Sequence, residues 1–321
     1  MAKRVSIIFT VLNEEKNVGN LLDSLVKQTR KPDEIVAVDG GSRDGTVQVL
    51  KKYSKKLPIK IIIAEGANIS QGRNIAIKHA KGPVIVSTDG GTVHDKKWLK
   101  SIVKNIEKGY DVSAGMFYPL PRTGFEEIVG RLFYPDMNKV ADDWRPSSRS
   151  AAFTKRVWEK SGGYPEELYT AEDSIFNYRL KAAGARYMAA RDAKSYWRPR
   201  PSFRKFLKQY FTYAKGNGES LLALYRYPEN RMFYVFWGTV LIAIVSYLYS
   251  PILFSGLLLA FLGLMFVRAF LVFRNLGKSL IGAGLLLSAF VANALGNHYG
   301  LLRRALGMVK ARKVKSIKVL R

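Results

Sequence analysis

Through the first 117 residues, short apolar runs alternate with stretches whose apolar positions recur every three or four residues. Residues 5–10 are apolar and largely β-branched and run out at Asn13-Glu14-Glu15, which predicts a first strand. Residues 15–28 then place Val18, Leu21, Leu22, Leu25 and Val26 on one helical face. The same reading predicts strands over 34–38, 59–64, 84–88 and 111–117. Helices fall between them over 46–54, 70–80 (with Ser70 as N-cap) and 96–108. Strands separated by such helices indicate βαβ units and a mainly parallel sheet. Polar and Gly-rich clusters recur just after the strands, the edge where open α/β sheets bind ligands.

The rhythm breaks over 118–150, which holds Pro119, Pro121, Pro135 and Pro146 and is expected to wrap the site. A strand near 149–154 and helices over 155–160 and 173–183 follow. Residues 202–226 mix basic and aromatic side chains, as an amphipathic helix in a membrane interface does. From Met232 the pattern changes. Segments 232–250, 252–273 and 279–302 carry at most one formal charge each, and about 20 residues at 1.5 Å per residue span about 30 Å, the hydrocarbon thickness. Tyr234, Trp237, Tyr247, Tyr249 and Tyr299 lie near their ends, as interfacial aromatics do. The expected organisation is a catalytic domain over 1–200, interfacial helices over 201–230, and a three-span transmembrane domain over 231–321 with a basic C-terminal tail.

Composition sharpens this division. The 321 residues carry 52 Lys+Arg against 25 Asp+Glu, a net charge of +27, yet the mean hydropathy is −0.06. Residues 231–321 hold 12 of the basic residues and no acid. The near-neutral average therefore sums a polar region and a strongly apolar one. The absence of cysteine excludes disulfide scaffolds, Cys-ligated zinc and thiol catalysis. The apolar run at the N-terminus is short and lacks a small-residue cleavage site, so it reads as a strand and not a signal peptide. Positive residues before the first span and around the second link place 1–230 in the cytoplasm. Three crossings then put the eight Lys/Arg of 303–321 outside, against the same rule.

The candidate chemistry centres on Asp39, Asp89 and Asp173. Asp39 and Asp89 each end a predicted strand and open a Gly-rich turn, where a carboxylate can accept hydrogen bonds from a nucleobase or ribose, or ligate a divalent cation. The ordered motifs 11–15 (Val-Leu-Asn-Glu-Glu), 38–46 (Val-Asp-Gly-Gly-Ser-Arg-Asp-Gly-Thr), Gly72-Arg73-Asn74 and Thr88-Asp89-Gly90-Gly91 resemble the nucleotide-sugar half of family 2 glycosyltransferases, which have the GT-A fold. Residues 146–150 (Pro-Ser-Ser-Arg-Ser), Gly162-Gly163-Tyr164-Pro165 and Ala171-Glu172-Asp173 resemble their acceptor half, and 209–216 loosely resembles the Gln-x-x-Arg-Trp element of cellulose-synthase-like members. The match runs over about residues 3–220. The membrane-integrated, dolichyl-phosphate-linked mannosyltransferase type is the subtype expected.

The resemblance implies that Asp39 contacts the base or ribose in a pocket lined by Thr10, Asn13 and Glu14. It implies Arg73 supporting the nucleotide, Gln209 and Tyr213 over the diphosphate-sugar end, and Asp173 as catalytic base, with Glu172 pairing with a basic neighbour. Asp89 would bind Mn²⁺ or Mg²⁺ at the donor diphosphate. Gly91 stands where the family's second carboxylate is usual, and His94 is a candidate extra ligand. The Gln-x-x-Arg-Trp match lacks both Arg and Trp. The function implied is inverting transfer of a hexose, GDP-mannose being the first donor and UDP-glucose the second, to a polyprenyl- or dolichyl-phosphate-linked acceptor. Arg198, Arg200, Arg204, Lys205 and Lys208 would meet lipid head groups, so the partner of the positive charge is membrane lipid and not nucleic acid. The alternatives are a processive polysaccharide synthase using UDP-glucose, and a non-catalytic membrane or nucleic-acid binder.

Overall fold

The computed structural model describes residues 4–221 and 231–320. In chain order the elements are β1 (Val5–Val11), α1 (Glu15–Val26), β2 (Glu34–Asp39), α2 (Thr46–Tyr53), β3 (Ile59–Glu65), α3 (Ile69–His79), β4 (Val84–Thr88), β5 (Thr92–His94) and α4 (Trp98–Glu107). There follow β6 (Val112–Pro119), α5 (Gly124–Phe133), β7 (Ser150–Thr154), α6 (Lys155–Lys160), α7 (Glu172–Ala182) and β8 (Tyr187–Trp197). The last are α8 (Phe203–Glu219), α9 (Arg231–Tyr249), α10 (Pro251–Phe273), α11 (Leu276–Ala305) and β9 (Ser316–Leu320). They divide into two units. The first comprises 1–118, 135–197 and 310–321, and the second 119–134 and 198–309.

The first unit is built on one sheet of order β5-β8-β6-β7-β4-β1-β2-β3-β9. The pairs β4-β1, β1-β2 and β2-β3 are parallel, and β4-β7, β7-β6, β5-β8 and β3-β9 are antiparallel. The period of two in β1 sends Val5, Ile7, Phe9 and Val11 to one face, where they meet Leu21, Leu22 and Leu25 of α1 and Trp98, Leu99 and Ile102 of α4. Ile8, Val36, Val38 and Ile62 occupy the other face with Ala76 and Ile77 of α3, Val157 of α6 and Phe176 and Leu180 of α7. Burial on both faces explains why these strands read as continuous apolar runs. The register Val11↔Asp39 aligns the ends of β1 and β2, with the end of β4 beside them, so their following loops meet at one edge.

The elements expected over 5–117 are all present; the strands β5 and β8 were not expected, and three further features lay outside the sequence reading. The expected N-cap Ser70 is instead inside α3. Asn68 caps it, accepting from Gln71 N at 2.9 Å while Gln71 Oε1 accepts from Asn68 N at 3.0 Å. Residues 118–150, expected as irregular, contain α5. The basic tail is not an extension of the 231–321 domain: β9 pairs antiparallel with β3, from Ile61↔Leu320 to Glu65↔Ser316.

In the second unit, Ile128, Val129 and Leu132 of α5 pack with Phe206 of α8, Ala269 and Phe273 of α10, and Leu285, Leu286 and Ala289 of α11. Helices α8 and α11 touch backbone to backbone. A Cβ on Gly300 would lie 2.1 Å from the Lys215 carbonyl oxygen, and one on Gly296 2.3 Å from that of Phe211. Among the described residues two helices are long and apolar enough to cross a membrane, α10 and α11; the apolar stretch Tyr234–Tyr249 in α9 is shorter. The end of the expected interfacial segment, 222–230, lies outside the described residues.

The glycine contact makes a signed prediction. Gly300→Ala should destabilise the protein by about 1–3 kcal/mol, because backbone cannot yield to the new methyl. Gly284→Ala on the same helix meets nothing within 4 Å and should stabilise by up to about 1 kcal/mol through helix propensity. Melting temperatures of the two variants in detergent should therefore move in opposite directions.

Candidate active site

The edge formed by the ends of β1, β2 and β4 is knitted together by short polar loops. Asn13, in the left-handed region at φ 54°, accepts from Arg43 N at 2.9 Å while its own N–H donates to Ser42 Oγ at 2.8 Å. Glu14 N donates to Thr46 Oγ1 at 2.8 Å, and the Glu14 carboxylate accepts from Asn17 Nδ2. Asp39 is buried. Its Oδ1 accepts from Gly41 N at 2.9 Å and Ser42 N at 2.8 Å, and its Oδ2 from Ser42 Oγ. Asp39 thus holds its own turn, and each oxygen keeps limited capacity for a further donor. Thr10 lies under α3, where a side chain on Gly72 would strike its methyl.

Arg73 on α3 gathers the remaining acids. It is 1% exposed. Its Nη1 donates to Glu172 Oε1 at 2.8 Å and to Asp173 Oδ1 at 3.0 Å, and its Nη2 to Asp89 Oδ1 at 2.8 Å. The Tyr164 ring centroid lies 5.3 Å from the guanidinium carbon. A planar fork of donors can serve three carboxylates at once, which a lysine could not. Glu172 and Asp173 open α7 after Ala171, a non-glycine residue at φ 63°. They sit in the first turn, where the helix dipole favours negative charge. Asp173 Oδ2 also accepts from Ser147 Oγ and Ser148 N, both at 3.1 Å. Asp89 lies 3.8 Å from Arg149 Nε, whose guanidinium carbon is 4.1 Å from the Trp197 ring centroid and 5.2 Å from that of Phe117.

These surroundings drive the two neighbouring carboxyls apart. Burial raises Asp173, but Arg73 and the Ser148 hydrogen bonds outweigh it and hold the group below the usual aspartate range. Burial first, then the Asp173 charge, pushes Glu172 up to about 7. The pair therefore keeps one proton near neutrality, on Glu172, and leaves Asp173 ionised with 28% of its side chain open to solvent.

The structure thus brings Arg73, Asp89 and Asp173 into direct contact and sets Thr10, Asn13, Glu14 and Asp39 in the adjoining loops. Arg73, expected to support a nucleotide, directs Nη1 and Nη2 at carboxylates. His94 is not presented as a ligand. It is buried, stacked on Trp98 at 3.6 Å, with Nε2 2.8 Å from Thr88 Oγ1 and Nδ1 2.9 Å from Ser195 Oγ. Both ring nitrogens are engaged, and burial lowers the ring to about 3, so it stays neutral. Gln209 and Tyr213 lie on α8 in the second unit, where Gln209 Nε2 donates to Tyr213 Oη at 2.9 Å. Arg149 is the residue that the sequence reading left without a role at the site; its signal was an arginine between serines just before a strand.

The donor set for a divalent cation is one carboxylate. Among the described residues no group of three or more His, Asp or Glu is arranged to hold a metal, and Asp89 Oδ1 already accepts from Arg73. Asp89 Oδ2 lies 3.8 Å from Arg149 Nε, and a divalent cation held by this one carboxylate would have to take its other ligands from elsewhere, as magnesium commonly does from phosphates and water.

Comparison with known proteins bears on the family and the fold. Residues 6–156 match the family described as Glycosyl transferase family 2. The poly(ribitol-phosphate) beta-N-acetylglucosaminyltransferase TarS of Staphylococcus aureus is 26% identical over 234 residues, 71% of this chain and 38% of TarS. Glycosyltransferase AglE of Haloferax volcanii is 27% identical over 226 residues, 66% of this chain and 72% of AglE. In fold, mannosyltransferase PcManGT from Pyrobaculum calidifontis, solved in complex with GDP-Man and Mn2+, aligns with a TM-score of 0.57 at 18% identity, over 95% of this chain and 87% of that one. TarS 1-349 in complex with UDP-GlcNAc aligns at 0.54 and 19%, over 95% and 92%. Residues 6–156 thus match a family 2 glycosyltransferase domain, and the first unit has the GT-A fold. The chain spans 38% of the length of TarS, the first of these relatives.

The split carboxyl pair has a pH signature. Between about pH 4.5, the ordinary glutamate value, and about 7, the folded chain keeps the Glu172 proton that the unfolded chain has lost. Stability from this group is complete at the acid end and declines as pH rises through the interval. Glu172→Gln is neutral throughout. Its melting temperature relative to wild type should therefore rise between pH 5 and pH 8; a constant difference would contradict the assignment.

Proposed function

We propose that this chain is an inverting membrane glycosyltransferase. It moves a hexose from a nucleotide diphosphate-sugar, GDP-mannose first among candidates, to a hydroxyl of a polyprenyl- or dolichyl-phosphate-linked acceptor. The observation that carries the reading is the state of Asp173: ionised, partly open to solvent, and held by Arg73, Ser147 and Ser148 beside Asp89. In the reaction the acceptor oxygen attacks the anomeric carbon, the bond from that carbon to the diphosphate breaks, and the acceptor proton passes to Asp173. One in-line displacement inverts the configuration.

The departing diphosphate needs its charge neutralised. Asp89 would hold Mn²⁺ or Mg²⁺, and that ion supplies positive charge to the leaving group when bound. Arg149, braced by Trp197 and Phe117, adds a fixed cation at the same strand edge. Asp39 and the 13–14 loop receive the nucleoside. The apolar helix α10, with 11% of its apolar window buried, and the exposed apolar side chains of α9 support location in a membrane, with the first unit cytoplasmic, where both the donor and the lipid-phosphate head would be within reach.

Three measurements test the reading. Asp173→Asn should lower kcat by about 10²–10⁴-fold while leaving the donor dissociation constant within about twofold; wild-type turnover in the variant would remove the base assignment. In a thermal-shift series with Mn²⁺, GDP-mannose should raise the melting temperature more than UDP-glucose or UDP-GlcNAc, since a ligand of the native state stabilises it by mass action. The product should carry one added sugar; a ladder of lengths would favour a polysaccharide synthase.

A further inference from the structure

Two ion pairs fix where α11 begins and ends. Near its start, Lys278 Nζ lies 3.0 Å from Glu127 Oε2 on α5. Near its end, Arg303 Nε lies 2.6 Å from Glu219 Oε1 on α8. Between them α11 follows α8 closely enough for the Gly296 and Gly300 backbones to meet the Phe211 and Lys215 carbonyls. Helix α8 carries Arg204, Lys205, Lys208 and Lys215, four charges that hydrocarbon would not accept without heavy cost. Half of the apolar window of α11 is buried in the protein, against 11% of that of α10.

Both of these anchors lie a short stretch of chain from the first unit. Helix α5 is joined to that unit by five residues before it and by Tyr134 after it, and five residues reach at most about 18 Å. The end of α11 returns to the same unit within a few residues, because Lys310 onward belongs to it and β9 pairs with β3. The end of α10 is held too: Arg131 Nη2 of α5 donates to the Val272 carbonyl at 2.6 Å. Among the described residues, the chain from α9 to the later part of α10 has no such charged anchor; it meets α11 through ring packing of Phe236 and Trp237 on His298 and of Phe236 and Phe261 on Phe290.

That segment has the properties of a lipid-facing hairpin. Its 19- and 23-residue helices are about 28 and 35 Å long, close to the hydrocarbon thickness, and Ser250 alone joins them. Exposure is greatest at the tip: Leu248 79%, Tyr249 86% and Ile252 85%. The hydroxyls of Thr239, Ser246 and Ser255 donate to carbonyls of their own helices, and Ser250 caps α10, so none of them needs water. The sequence places Arg231, Arg268 and Arg274 at the base and no charge from 232 to 267.

We propose that α9 and α10 cross the bilayer as one out-and-back hairpin with Tyr249 and Ser250 at the far interface, while α11 stays on the near side against α8. The crossing number is then two, and the basic tail lies with the catalytic unit, where the positive-inside rule puts it. This inference rests on the membrane location proposed above.

The cysteine-free chain allows a direct test. Single cysteines at the exposed positions Lys55, Tyr249 and Lys310 are placed in the full-length protein and probed with a membrane-impermeant maleimide in right-side-out and inverted vesicles. Lys55→Cys and Lys310→Cys should label from the same face and Tyr249→Cys from the opposite one. Labelling of Lys310→Cys from the Tyr249 face would overturn the proposal in favour of three crossings. Labelling of Tyr249→Cys from the Lys55 face, or only after detergent, would overturn it in favour of a hairpin that does not cross. Release of the wild-type protein by an alkaline carbonate wash would instead remove the membrane reading itself.

Discussion

A guanidinium with no access to water must have its charge matched inside the protein. Arg73 is such a group, and its partners come from three places in the chain: Asp89 after β4, and Glu172 and Asp173 at the start of α7. One side chain therefore joins helix α3, the edge of the parallel sheet and the segment holding the proposed base. Three ionised acids around one cation would leave an excess of negative charge. Retention of a proton on Glu172 removes part of it, and Arg149 beside Asp89 offsets the rest. The cluster is near neutral as a whole, with its positive charge on Arg73 and Arg149.

The second unit obeys a different constraint. Its helices α8 and α11 approach so closely that glycine is required at the contact, and α8 is strongly basic on its other faces. The apolar sequence of α11 is thus satisfied largely by protein, whereas most of α10 and the outer part of α9 have no protein to bury against. Length and hydropathy alone give α10 and α11 the same description. Only the partners of each helix separate them.

Much of the fold was legible because its signals are local. The strands and helices of residues 5–117 follow from periodicity, and the edge at Asp39 and Asp89 follows from glycine-rich turns after strands. The capping box at Asn68 was also written in the sequence, as an Asn followed three residues later by Gln71, but a nearer serine obscured it. Other features depend on distant partners. Nothing local in 316–320 says that it pairs with β3. The neutral, enclosed state of His94 depends on Thr88, Ser195 and Trp98 closing around it. The reading of Glu172 as an ion-pair partner rather than the base was available from sequence, yet the identity of its partner as Arg73, 99 positions away, was not.

The strand β9 has a consequence for how the protein is made. It supplies the last partner of β3, and the Lys315–Glu65 contact joins residues 250 positions apart. A ribosome adding about 5–20 residues per second needs roughly 12–50 s to cover that interval. Throughout it, the β3 edge emerges with its hydrogen-bonding groups unpaired, the condition that favours association with other chains. Both α9 and α10 leave the ribosome before β9 does, so the two apolar helices are made before the sheet can close. Completion of the first unit is thereby ordered behind synthesis of those helices, and a chain cut short after them would carry an open sheet edge.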